Sequence, residues 1–224
     1  MNNKIKLVLT LATGMYFTTG CNDGTTTTHE MKDSSNMNME GMDNSAMKNM
    51  DTDTMSSISG MNNNTMKDMK MTGDFDYDFA NTMMAHHQQA IDMAQMEISK
   101  GSNAETKSMA ENIVKAQQAE IAEFKNILKD YKMPEMKKEG GEMHNELGEI
   151  MNKMDAKMKG MKMTGNADKD FVMMMIPHHE SAVTMAENEI AHGKNLALKK
   201  MAQKIMDDQG KEIKQFQDWL AKNK

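Results

Sequence analysis

The fold is decided by a stretch that this sequence carries twice, as DFANTMMAHHQQAIDMA at residues 78–94 and as DFVMMMIPHHESAVTMA at residues 170–186. The two copies stand 92 residues apart without a gap, and the match continues on both sides of them. A fixed offset of this kind indicates an internal duplication, in which each copy forms one supersecondary unit. We therefore expect two equivalent halves, with repeat one at 67–132 and repeat two at 159–222.

Each repeat has the apolar spacing of a helical hairpin. In repeat one, apolar residues recur at helical intervals over 76–100 and 104–131, and Gly101 between them is a typical C-terminal stop. No segment alternates polar and apolar residues as a half-buried strand does. A single hairpin cannot bury its apolar stripe, so the two copies are expected to pack face to face. The sequence thus predicts an all-α fold, a four-helix bundle over 67–224.

A further helix is predicted between the repeats, over 141–159. An apolar stripe at helical spacing runs through this segment. Its members are Met143, Leu147, Ile150, Met151, Met154 and Met158. We expect a connecting helix that lies on the bundle and turns this stripe towards it.

Residues 1–20 are typical of an export signal peptide, with Lys4 and Lys6 ahead of an apolar stretch that is too short to span a bilayer. Cys21 follows directly and is the only cysteine, so the chain cannot form an internal disulfide. A lone cysteine at this point predicts a lipoprotein of the bacterial cell envelope, anchored through Cys21 at a periplasmic or outer membrane surface. Thr18 stands where such signals usually carry a branched apolar residue, which leaves simple secretion as the alternative.

Residues 21–66 form a low-complexity tail, for which we predict disorder because it holds too few bulky apolar residues to offset its ordering entropy. Eleven methionines lie between Met31 and Met71. Two interpretations stay open at this point. The tail captures metal through its thioethers, or it is only a tether of biased composition.

The composition excludes one class of partner and favours another. The formal charge is −6 and no arginine occurs, which argues against nucleic-acid binding, since that needs a basic face and guanidinium groups. Aromatic residues make up only 4%, whereas there are 32 methionines, so methionine must fill much of the core. An acidic, Met-rich composition favours the binding of cations.

Two His-His pairs, His86-His87 and His178-His179, are the strongest candidates for a site. Neighbouring residues on a helix point about 100° apart, so one ring of each pair is expected to face the bundle axis and the other a neighbouring helix. Methionines share the helix face of the first histidine in each pair. They are Met83 and Met93 in repeat one, and Met175 and Met185 in repeat two.

The second helix of each hairpin should add polar partners. A turn near residue 102 places the first histidine of the pair level with a glutamine and a glutamate, and the repeat carries this over to the second hairpin. These residues are Gln117 and Glu120 for His86, and Gln209 and Glu212 for His178. A polar side chain in an apolar stripe costs free energy unless it is bonded, so they are predicted to be further ligands or partners of the ligands. A hydrogen-bond network without metal is the alternative.

Imidazole beside thioether, without cysteine, points to copper. Thioether sulfur is a soft ligand that selects Cu(I), and imidazole accepts Cu(I), Cu(II) and Zn(II). We therefore expect Cu(I) to be preferred and Cu(II) to be accepted. Pro177, where repeat one has Ala85, predicts a kink beside His178 and hence two sites of unequal geometry.

The repeated stretch resembles the signature of the domain-of-unknown-function-305 family, with MMAHH at 83–87 and MMIPHH at 174–179. The resemblance covers about 67–222 and leaves the Met-rich tail outside it. It implies a ferritin-like helical bundle and, as in CopM-like members, copper binding in the bacterial envelope in support of copper tolerance. By position, it implicates the four histidines and four methionines named above as ligands.

Two other functions compete with non-enzymatic copper binding or buffering. A ferritin-like di-metal oxidase needs a Glu-x-x-His motif from each of two helices. Glu189 to His192 supplies one such motif, but the counterpart of His192 is Lys100. A Met-rich surface that binds a protein partner without metal is the other alternative. We expect no enzyme activity, and a metal-transfer partner in the envelope.

Overall fold

The computed structural model describes residues 71–133 and 143–224, and within these ranges it contains five α-helices and no strand. They are α1 (Phe75–Lys100), α2 (Ala104–Lys129), α3 (Met143–Lys159), α4 (Ala167–His192) and α5 (Leu196–Lys222). The all-α prediction is confirmed. None of the helices in the described ranges has the length and apolarity needed to cross a membrane. The predicted signal peptide, Cys21 and the Met-rich tail at 21–66 lie outside the described residues.

The helices pack as two hairpins with an added helix. Helix α1 packs against α2, α4 packs against α5, and α1 and α4 pack against each other across the two repeats. The connecting helix α3 lies mainly on α4 and also contacts α1, with Leu147, Met151, Met154 and Met158 buried beneath it. Pro177 is buried within α4, which runs through it as one helix.

The duplication is visible in the way the helices begin. The Asp74 side chain accepts a hydrogen bond from the Tyr77 backbone N–H at the start of α1, and Asn166 does the same for Lys169 at the start of α4. Asn103 and Asn195 cap the second helix of each hairpin in the same way. A cap of this kind satisfies backbone donors that have no partner inside the helix.

The helix ends differ slightly from the prediction. Helix α2 ends at Lys129, two residues before the predicted end, and the Tyr131 hydroxyl donates to Asp74 Oδ1 at 2.8 Å. Gly101 does end α1, but its φ of −64° is not left-handed. A Cβ atom there would collide with the carboxyl group of Glu97, which folds back under the turn. Glycine is therefore needed for space rather than for backbone freedom.

The ends of the bundle are joined by carboxylates that reach from one repeat to the turn of the other. Asp168, in the first turn of α4, accepts hydrogen bonds at 2.8 Å from the backbone N–H groups of Ser102 and Asn103. Asp76, at the equivalent position of α1, accepts two bonds of 2.8 Å from residues 194 and 195. Each repeat thus satisfies the turn of its partner, which binds the hairpins together at both ends.

Buried glutamates lie beneath these two junctions. Glu97 and Glu189 have no exposed surface. Burial raises the pKa of Glu97 to about 7 and that of Glu189 to about 9. The neighbouring carboxylates, Asp168 for Glu97 and Asp76 for Glu189, act in the same direction because they repel a second negative charge.

Candidate metal centre

Helices α1 and α4 bring one histidine from each repeat together in the middle of the bundle. The ring centroids of His86 and His178 are 3.7 Å apart, with 36° between the ring planes, and neither side chain is exposed. The repeat predicts two separate, matching His-His sites. The structure instead joins the first histidine of each pair across the interface between the repeats, because this position faces the bundle axis in both helices.

The second histidine of each pair points towards the other helix of its own hairpin. The Nε2 atom of His87 lies 2.8 Å from Glu120 Oε2, and that of His179 lies 2.7 Å from Glu212 Oε2. The sequence placed His86 and His178 level with these glutamates, and in the structure the next residue of each pair, His87 and His179, makes the contact. Counting outward from the turn gives the level along the axis but not the rotation of each side chain around its helix.

The four predicted methionines lie in the core on the same helices as the histidines. Met83, Met93, Met175 and Met185 are all fully buried. A further thioether comes from the connecting helix. The Ser181 hydroxyl oxygen lies 2.7 Å from His86 Nε2 and 3.0 Å from Met154 Sδ. Sequence reasoning missed Ser181 and Met154 as part of this layer, although Met154 belongs to the predicted apolar stripe.

Ser181 makes the two halves of the central layer unequal. Repeat one carries Gln89 at the position of Ser181, so only His86 has a hydroxyl group beside its ring nitrogen. The inequality between the sites was expected from Pro177. The contact that distinguishes the two central rings, however, comes from the exchange of Gln89 for Ser181 and from Met154 on α3.

Many polar atoms in this layer lack a hydrogen-bond partner among the residues that the structure describes. Both ring nitrogens of His178 are of this kind, as is Nδ1 of His86. The amide groups of Gln117 and Gln209 are also buried and unpartnered within the described ranges. Buried polar groups in folded proteins are nearly always bonded, so this concentration favours ordered water or a bound ligand at the centre of the bundle.

The central imidazoles have the protonation state that a metal needs. Burial lowers the pKa of His86 and of His178 well below the usual range, and the neighbouring imidazoles lower it further. Both rings are therefore neutral near pH 7, with a lone pair on one nitrogen. In the described ranges, no three His, Cys, Asp or Glu side chains converge on a common point. A metal held here would need thioether ligands as well, and two imidazoles with thioethers fit Cu(I).

The family model for a domain of unknown function, DUF305, matches residues 13–128 and 76–220. The chain belongs to the DUF305 family. The second match spans both hairpins of this DUF305 protein, and the first includes the Met-rich tail, so the expectation that the tail lies outside the family pattern was wrong. No curated protein matches the chain.

Solved structures similar to this DUF305 protein include forms of CopM. CopM in the Cu(II)-bound form is 32% identical, with 66% of this chain and 97% of that chain covered and a TM-score of 0.51. CopM in the Cu(I)-bound form is 30% identical over 66% and 96% of the two chains, with a TM-score of 0.50. A putative secreted DUF305 protein from Streptomyces coelicolor shares the fold at 22% identity, with 68% and 95% covered and a TM-score of 0.54.

Proposed function

We propose that this protein binds and buffers copper in the bacterial cell envelope, without enzymatic activity, and thereby supports copper tolerance. The observation that carries the proposal is the pair His86 and His178, whose ring nitrogens are largely unpartnered inside a Met-lined core. The ligands would come from both repeats. They are His86, His87, His178, His179, Met83, Met93, Met175 and Met185.

The similar structures support copper as the metal. CopM has been solved with Cu(I), with Cu(II) and with silver. Silver and Cu(I) are both soft monovalent ions, which thioether ligands prefer to harder divalent ions. The buried methionines beside His86 and His178 therefore favour Cu(I), while imidazole nitrogen also accepts Cu(II).

The envelope location follows from the N-terminal sequence. An export signal at 1–20 and acylation of Cys21 would hold the bundle at a membrane surface, where thiol ligands oxidise and thioethers persist. The Met-rich tail at 21–66 would then capture Cu(I) close to that surface. An envelope protein that receives the metal is the natural partner of such a buffer.

The positions of Glu189 and His192 argue against a di-metal oxidase. Glu189 is buried beside Gly193 at the end of the bundle, whereas His192 is exposed and packs edge-on against Phe75 with ring centroids 6.0 Å apart. The half-motif therefore lies away from the central histidines. A Met-rich docking surface is also disfavoured, because Met71, Met133 and Leu196 are the only large apolar side chains exposed in the described ranges.

Native mass spectrometry of the mature chain, loaded separately with Cu(I), Cu(II), Zn(II) and Fe(II), tests the proposal. We expect Cu(I) to bind in the largest number, and we expect no oxygen consumption after Fe(II) loading. A chain that binds no copper, or that consumes oxygen with Fe(II), contradicts it.

A further inference from the structure

The two His–Glu pairs, His87 with Glu120 and His179 with Glu212, differ in one charged neighbour. Lys204 on α5 donates to Glu120 Oε1 at 2.6 Å, while the other oxygen of Glu120 lies against His87. In repeat one, the position equivalent to Lys204 is Asn112. By the pseudo-two-fold relation between the hairpins, Asn112 lies opposite Glu212 as Lys204 lies opposite Glu120. Only one of the two glutamates therefore receives a lysine from the facing hairpin.

The two pairs also differ in access to solvent. The side chain of Glu120 is 5% exposed, and that of Glu212 is 22% exposed. An ion that arrives from water can reach the Glu212 carboxylate directly. At Glu120 it would have to displace the Lys204 ammonium group, and its own positive charge would be repelled by that group.

The donor atoms around Glu212 differ in kind from those of the central layer. His179 supplies an imidazole nitrogen 2.7 Å from Glu212 Oε2. Gln209 stands three residues before Glu212, on the same helix face, and its buried amide has no partner among the described residues. Nitrogen and oxygen donors of this type suit divalent ions such as Cu(II) and Zn(II) better than Cu(I).

We propose that His179, Gln209 and Glu212 form a separate binding site for a divalent cation of the Cu(II) or Zn(II) type, and that Lys204 closes the equivalent site at His87, Gln117 and Glu120. This inference rests on the proposed function in taking His179 as a metal ligand. It adds that the duplicated bundle holds one divalent-cation site rather than two. Lys204 determines which of the two equivalent positions binds the ion.

Exchanging the residues at positions 112 and 204 tests the inference. Asn112→Lys should bring an ammonium group to Glu212 and weaken Zn(II) binding at least tenfold, measured by calorimetry on the mature chain. Lys204→Asn should add a second Zn(II) site, and the double variant should bind one Zn(II) through His87 instead of His179. Zn(II) is the probe because thioethers bind it poorly, so the methionines do not contribute to the signal.

Matched controls make the same two charge changes at other positions, and so test whether the position of the lysine matters. Asn126→Lys makes the same change on the exposed face of α2, about 21 Å further along the helix. Lys214→Asn removes a lysine whose partner is Asp218. Both should leave Zn(II) binding as in the wild type. Electron paramagnetic resonance with Cu(II) should show nitrogen coupling in the wild type, and His179→Leu should lose the part of that signal that Zn(II) displaces in the wild type.

Three outcomes would overturn the inference. The first is that Asn112→Lys binds Zn(II) as Asn126→Lys does, the second is that Lys204→Asn adds no site, and the third is that the wild type binds Cu(I) but no divalent ion. Each of these leaves the copper proposal standing. A chain that binds neither copper state nor Zn(II) would overturn both.

Discussion

The centre of the bundle and its two ends are both lined with buried polar side chains that recur in the two repeats, but the aspartates that cap the turns are bonded whereas one central imidazole is not. At the ends, Asp76 and Asp168 accept several short hydrogen bonds from the facing turns. At the centre, His178 has no partner for either ring nitrogen among the described residues. Bonded polar groups stabilise a fold, whereas unpartnered ones cost stability. The comparison favours a folding role for Asp76 and Asp168 and supports the proposed metal-binding role of the central imidazoles.

Loss of a junction carboxylate should have the largest effect on stability. Asp168→Ala leaves the N–H groups of Ser102 and Asn103 without their acceptor, which should lower the free energy of unfolding by about 2–4 kcal/mol. Urea unfolding of the copper-free mature chain measures this loss of unfolding free energy. Asp218→Ala, at an exposed position, is the control and should cost about 0.5 kcal/mol or less. If Asp168→Ala costs no more stability than the control, the carboxylates at the ends of the bundle have no structural role.

The turn glycines provide a second test of the ends. Gly101→Ala places a Cβ atom against the Glu97 carboxyl group and should destabilise the fold by about 1–3 kcal/mol. Gly210→Ala lies in α5 with open space around its Cβ position and should stabilise by about 0.5–1 kcal/mol. The same unfolding experiment compares the two. Equal signs for the two substitutions would contradict the close packing at the junction.

The pH dependence of stability isolates the buried glutamates. Their pKa values are raised by burial, to about 7 for Glu97 and about 9 for Glu189, so the folded state holds protons that the unfolded state releases above about pH 4.5. The stability that these two carboxyl groups contribute is therefore fully present below that pH and should fall by about 1–3 kcal/mol as pH rises to 9. The lowered pKa values of His86 and His178 act in the opposite direction, but only up to about pH 6.5. Glu97→Gln should flatten the curve between pH 5 and 7, and Glu111→Gln should not. Stability that rises between pH 7 and 9, or a Glu97→Gln curve with the same shape as the wild-type curve, would contradict the raised pKa values of the buried glutamates.

The sequence predicted the helices and the two hairpins, but it did not predict the contacts between the repeats. The offset of 92 residues, the stop at Gly101 and the apolar spacing were sufficient for the helices and their pairing into hairpins. The stacking of His86 on His178 depends on how each helix is rotated within the bundle, which spacing alone does not specify. The junctions were missed for a related reason, since Asp76 and Asp168 resemble ordinary acidic residues in a first helical turn until the facing repeat is in place.

The asymmetries were the hardest features to predict. Ser181 replaces Gln89 and Lys204 replaces Asn112, and each exchange is visible in the aligned repeats. Its consequence is not visible there, because it depends on which residue of another helix lies opposite. The sequence does show which residues of the two repeats have opposite charges. Many pairings between them are possible before the fold is known, so the pair that forms could not be chosen.

Deletion of residues 22–66 should have the smallest effect on stability. The unfolding midpoint of the bundle should stay within the error of the measurement, because the composition of the tail predicts few core contacts. The number of Cu(I) ions counted by native mass spectrometry should fall, since nearby thioethers can close around one ion at little entropic cost. Replacing the tail methionines by leucine keeps every charge and should give the same loss. An unchanged Cu(I) count would make the tail a tether only.

The central claim is tested most directly by measuring stability and Cu(I) affinity together in His178→Leu. Leucine fills a similar volume without unpartnered nitrogens, so the copper-free protein should be as stable as the wild type or more stable by about 1 kcal/mol. Cu(I) affinity should fall at least tenfold, while His192→Leu, at the exposed end of α4, should leave that affinity unchanged and cost about 1 kcal/mol at most through its ring contact with Phe75. A His178→Leu protein that loses about 2 kcal/mol of stability and keeps its copper would make His178 a structural residue and contradict the account.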